Sequence, residues 1–76
     1  MLQMSVFIQP EVAEAILAVL DELSSEIDLY YQDEQLAAAT PAFTKMERLV
    51  KMLEEAGYSP PEAYIHIVSR YKKFVN

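Results

Sequence analysis

Between Pro10 and Pro41 the chain carries neither glycine nor proline, and apolar side chains recur through that stretch at helical spacing. At ~100° per residue, Val12, Ile16, Val19, Leu20, Leu23, Ile27 and Tyr30 fall within an arc about 120° wide, with Ala13 and Tyr31 at its edge. Pro10 suits a first helical position and Glu11 complements the positive end of the helix dipole. The stripe passes Ser24-Ser25 without a break, which predicts one helix from residue 10 to beyond 31. Glu34 then lands on the stripe and Leu36 off it, so the register is lost and the helix ends between 32 and 39.

The remaining breakers divide the rest of the chain. Thr40-Pro41 reads as an N-cap followed by proline at the first helical position, and Thr44 with Glu47 offers a second capping box one turn later. The apolar stripe of this second helix is Ala42, Met46, Leu49, Val50, Leu53 and Ala56, while Glu47, Lys51 and Glu55 form a ladder on the opposite side. In "GYSPPE", residues 57–62, Gly57 is expected to end that helix in the left-handed region, with Tyr58 folding back on its last turn. Ser59 reads as the next N-cap, Pro60 as the first helical residue and Glu62 as the partner in a capping box. A third helix is expected from 60 to about 74. Ala63, Tyr64, Ile67, Val68, Tyr71, Phe74 and Val75 lie on one side of it, and Glu62, His66, Ser69, Arg70 and Lys73 on the other. Ahead of Pro10, the run "MSVFI" at 4–8 is too short to be a strand on its own, so it is an extended arm on the core or half of an intersubunit ribbon. The pattern implies an all-α fold: a small three-helix bundle in which a long helix 1 is followed by a hairpin of helices 2 and 3. Residues 1–9 form the extended N-terminal arm and 10–76 a single helical domain.

A chain of 76 residues is near the size at which folding buries only about 60% of the unfolded surface. There is no cysteine and a single histidine, so neither disulfides nor a structural zinc site can supplement the core. A dense helical interior or self-association must supply the stability. No secretory leader opens the chain and no uncharged apolar run approaches the ~18 residues of a membrane span, which points to a cytoplasmic protein without a membrane partner.

The net charge of −6 disfavours nucleic acid as a partner, because that affinity comes largely from neutralising phosphates with Lys and Arg. Its distribution is uneven. Residues 1–36 hold eight acids (Glu11, Glu14, Asp21, Glu22, Glu26, Asp28, Asp33 and Glu34) and no base, while all six bases lie between Lys45 and Lys73. Two stretches resemble DNA-binding elements. Residues 46–68, turning at Gly57-Tyr58-Ser59, resemble a helix-turn-helix, which would make helix 3 the recognition helix. The chain departs from that pattern at Leu53, where the helices need a small residue to cross, and at Ala63 and His66, where apolar core positions are wanted. "SVFIQPEVAEAILAVLDELSSEI" resembles the start of a ribbon-helix-helix regulator, with its short strand, proline-acid helix start and later serine pair. That resemblance implies a strand reading the major groove, yet Ser5, Phe7 and Gln9 bring no base to it.

No set of side chains carries specific chemistry. Glu11 with Glu14, and Glu22 with Glu26, share helix faces, but no oxygen-rich glycine loop accompanies them and Glu62 and His66 stand four apart, not three as in di-iron bundles. They read as solvated faces. His66 sits on the polar side of helix 3, and Tyr30, Tyr31, Tyr58, Tyr64 and Tyr71 follow the core stripes. No catalytic, metal-binding or cofactor-binding residue is assigned. Leu29, Leu36, Met52 and Ile65 fall off their stripes and are the candidate interface residues, and helix 1 is longer than the helices that would cover it. The function expected is therefore that of a non-catalytic adaptor, regulator or assembly factor acting through protein–protein contacts, as a homodimer. The alternatives are a DNA-binding transcriptional regulator of either resembled type and an acidic inhibitor that imitates nucleic acid. The melting temperature is predicted not to move on adding EDTA, zinc or calcium; a rise of several degrees with calcium would instead assign a cation site to the paired glutamates.

Overall fold

The computed structural model describes residues 6–75. Its elements are α1 (Pro10–Tyr30), a 3-10 turn (Asp33–Ala39), α2 (Thr40–Glu55) and α3 (Glu62–Val75), and no strand occurs among the described residues. Met4 and Ser5 of the "MSVFI" run lie outside the described residues. Residues 6–9 have no regular secondary structure, and Ile8 packs against the core with its carbonyl 3.5 Å from the Tyr58 hydroxyl.

α1 is one helix through Ser24-Ser25, with Pro10 in its first turn, and it stops at Tyr30, slightly short of the expected end. Tyr31 adopts an extended conformation, although its N–H still donates to the Ile27 carbonyl at 3.0 Å. The 3-10 turn then begins on a reciprocal pair: the Gln32 N–H donates to Gln35 Oε1 at 2.7 Å and the Gln35 N–H to the Gln32 carbonyl at 2.9 Å. This change of helix type restarts the register. Leu36, which falls off the stripe if the α-helical period is simply continued, therefore turns inward and is fully buried.

At the start of α2 the capping differs from expectation. Thr40 already belongs to the helix, and its Oγ1 donates to the Ala37 carbonyl at 2.8 Å, not accepting from the next turn as an N-cap would. With its one proton so placed, Thr40 Oγ1 accepts from the Tyr71 hydroxyl at 2.6 Å, which ties α2 to α3. Thr44 Oγ1 likewise donates back to the Thr40 carbonyl at 3.1 Å and makes no capping box. The far end of α2 is as expected. Gly57 has φ 94°, its N–H donates to the Glu54 carbonyl at 3.0 Å, and the Tyr58 N–H donates to the Leu53 carbonyl at 2.9 Å, the paired bonds of a Schellman ending.

α3 begins at Glu62, two residues later than the Ser59 cap implied. The cause is the second proline: a residue that precedes proline is kept out of the α region, so Pro60 cannot be helical ahead of Pro61. The Pro61 carbonyl instead accepts from the N–H groups of Tyr64 and Ile65, at 3.1 and 3.2 Å, and Ser59 caps nothing.

α2 runs back along α1, since Ser24 meets Met46 and Ile8 meets Tyr58, and α3 returns antiparallel to α2, since the Phe43 and Tyr71 rings stack at 4.0 Å while Tyr64 lies near Glu47 and Glu54. Burial, with a smaller contribution from those two carboxylates, raises the Tyr64 hydroxyl above its ordinary pKa. The backbones of α1 and α3 approach most closely. Contacts from α2 to both neighbours are carried by large side chains. Leu20, Leu36, Met46, Leu53 and Ile67 are the large apolar residues with almost no exposure, each contributing about 1.5–3 kcal/mol by leaving water. Ser24 is buried among them, its hydroxyl 3.8 Å from the Met46 sulfur.

Gly57→Ala is predicted to lower stability by about 1 kcal/mol, because alanine resists the left-handed region. Ser59→Ala is predicted to change it by less than about 0.5 kcal/mol, because no cap is removed. Urea denaturation of the two variants measures both.

Candidate functional site

Two features stand out above the core: a polar cluster at the C-terminal end of α1, and an apolar groove on the side of α1 away from α3.

The polar cluster is built on Arg70. Its Nε donates to Asp33 Oδ1 at 2.7 Å, Nη1 to Asp28 Oδ1 at 3.0 Å and to the Asp28 carbonyl at 3.2 Å, and Nη2 to the Tyr31 carbonyl at 2.6 Å. The last turn of α1 contains no basic residue, so its exposed carbonyls and the Asp28 carboxylate lack a counter-charge of their own. Arg70 supplies it from α3. Hydrogen bonding to Asp33 and then to Asp28 raises the guanidinium pKa still further, outweighing the opposing effect of desolvation. The sequence assigns Arg70 to the solvated side of helix 3, whereas here the side chain is largely covered and occupied within the fold.

His66 Nε2 lies 3.5 Å from Asp28 Oδ2, and both border an open depression of about 580 Å³ shared with Ser25, Leu29, Glu62 and Ala63. A serine, a histidine and an aspartate thus meet at one surface. The aspartate's other oxygen is engaged by Arg70, and the histidine ring is mostly in solvent, so the arrangement orients no nucleophile. Among the described residues no three His, Cys, Asp or Glu side chains converge to hold a metal ion, and no helix is long and apolar enough to cross a membrane.

The groove arises because α1's buried face is rotated from the stripe read in the sequence. Ala13, Leu20, Ser24 and Ile27 are buried, with Ile16 and Leu17 packed beside them. Val12, Val19 and Tyr30, on the expected stripe, are 48%, 62% and 72% exposed, and Leu23 is just exposed. They share one flank of the helix by their spacing. Leu23, Ile27 and Tyr30 face Ala38, Ala39, Pro41 and Ala42 across a groove of about 380 Å³ between α1 and the start of α2. From Pro41 the helical period carries the α2 edge of this groove through Lys45 and Arg48 to Met52.

The four candidate interface residues separate accordingly. Leu36 is in the core and presents nothing to a partner. Met52 is exposed at the groove edge, Leu29 borders the shallow polar depression, and Ile65 projects from the outer side of α3. Val12, Val19, Leu23 and Tyr30 carry the apolar surface but read in the sequence as core, because their mutual spacing of 7, 4 and 7 residues is the same helical period that core positions show. No family model matches the chain, and neither curated proteins nor solved structures include a match to it.

Arg70→Ala is predicted to destabilise the fold by about 1–2 kcal/mol, allowing for solvent screening around the half-exposed Asp33. Arg70→Lys should recover less than half of that, since an ammonium cannot reach four acceptors in the geometry of a planar fork. Thermal melts of the two variants provide the comparison.

Proposed function

We propose that the chain is a small non-catalytic helical protein that works by binding other protein chains, as an adaptor, regulator or assembly factor, and that it does so as a homodimer. The supporting observation is the flank of α1 from Val12 to Tyr30, which leaves large apolar side chains in solvent along a helix whose other side is packed in the core. An exposed row of large apolar side chains of this kind is a docking surface or an aggregation liability. Its length, ~27 Å at ~1.5 Å per residue, distinguishes it from the scattered apolar residues normal on any protein.

The DNA-binding alternative loses support from Arg70. Of the two bases on the supposed recognition face, Arg70 and Lys73, the first is tied to Asp28 and Asp33. The nucleic-acid mimic loses free charge to the same contacts, since Asp28 of α1 and Asp33 just beyond it share the Arg70 guanidinium.

Sedimentation velocity over a dilution series is predicted to give a species of at least twice 8.7 kDa. Leu23→Glu should shift it to monomer while changing the melting temperature of the monomeric unit little. A monomer at all concentrations would remove the support for the homodimer.

A further inference from the structure

The apolar groove has rims of opposite charge, and this selects an arrangement. On α1 the rim carries Glu26, which lines the groove, and Glu22 one turn before it. On α2 the rim carries Lys45 and Arg48, on the row that starts at Pro41; Glu55 ends the same row, one turn past Met52 and away from the level of Glu22 and Glu26. Glu22, Glu26, Lys45 and Arg48 are all exposed. The charged contacts among the described residues are those of Arg70 with Asp28 and Asp33, beside the His66–Asp28 contact, so none of these four has an ionic partner among the described residues.

We propose, resting on the homodimer reading above, that the groove is filled by a second copy of this chain, related by a two-fold axis parallel to α1 and α2, so that α1 of each copy lies on α2 of the other. Two in-plane axes can bring the face onto itself. An axis across the helices sets α1 against α1, with Glu22 and Glu26 facing their own copies, and α2 against α2, with Lys45 and Arg48 doing the same. An axis along the helices sets the acidic rim on the basic rim, twice.

The register fits the second arrangement. A two-fold axis along the helices preserves height, and Ser24 stands level with Met46. Because α1 and α2 run in opposite directions, Glu26 of one copy is then level with Lys45 of the other, and Glu22 with Arg48. At each level the four rim charges alternate in sign around the interface. Val19, Leu23 and Tyr30 of each copy meet Met52 and the neighbouring apolar surface of the other copy's α2, and Val12 lies level with the turn that follows that helix. The face is about 27 Å long and, across two helices ~10 Å apart, about 20 Å wide, roughly 540 Å² on each copy, which places it at the small end of specific interfaces, just above the ~1,000 Å² in total that one needs.

The test is a charge swap read by sedimentation. Glu22→Lys with Glu26→Lys in one variant, and Lys45→Glu with Arg48→Glu in another, should each weaken self-association roughly tenfold or more at moderate salt. An equimolar mixture should restore dimers containing one copy of each variant. Circular dichroism of each variant controls for folding, and the single changes Glu26→Lys and Lys45→Glu give the same test with less perturbation. A wild-type dimer whose variants associate normally, or whose mixture fails to recover, overturns this arrangement while leaving the homodimer reading in place. A wild type that is monomeric throughout overturns both.

Discussion

A single guanidinium fixes the relation of the first helix to the last. α1 is acidic along its length and ends with unpartnered carbonyls, an aspartate in its last turn and another just beyond it, all repelling one another electrostatically. Arg70 meets two carboxylates and two carbonyls at that end, and so turns the least favourable point of α1 into an anchor for α3. The 3-10 turn leaves α1 at this point, and burial of Leu36 and Ala39 beneath it sets where α2 begins. Charge segregation along the chain, acids first and bases later, thereby acquires a structural use: the halves are joined by the field between them as well as by the core.

The apolar interior is arranged around differences in side-chain size. Small residues, Ala13 and Ser24, face inward from α1, and the backbones of α1 and α3 come close. α2 meets its neighbours through Phe43, Met46 and Leu53, and α3 answers with Tyr64 and Tyr71. The Thr40–Tyr71 hydrogen bond and the Phe43–Tyr71 stack lock the entry to α2 against the exit of α3. The wider spacing of α2 from α1 leaves the groove that the charge pattern of its rims equips for a second chain.

What could be read in advance was set by local backbone chemistry. Pro10 and Gly57 mark their helix ends because proline's fixed φ and glycine's left-handed φ are properties of the residue alone. Pro60-Pro61 was legible in principle too, for the rule that a residue before proline avoids the α region outranks the capping tendency of Ser59. The rotation of the α1 stripe was not legible: packing of Leu17 in place of Val19 depends on where two other helices lie, and both edges of the stripe carry large apolar side chains. Leu36 was misassigned because a helical wheel assumes one period, and the switch to a 3-10 turn changes it. The Arg70 cluster spans 42 positions in sequence to Asp28, and nothing local to either residue announces the other.

The stand-off of α2 also bears on how the fold breathes. Opening that separates α2 from the other helices removes the packing of Phe43, Met46, Val50 and Leu53 but leaves the close α1–α3 seam and its guanidinium anchor standing, so it costs less than unfolding the whole chain. Backbone amides in the middle of α2 should accordingly exchange with solvent deuterium through a partial opening, while those of α1 around Leu20 and Ile27 wait for the whole molecule to come apart. The helix that borders the groove is thus also the one most able to readjust when something occupies it.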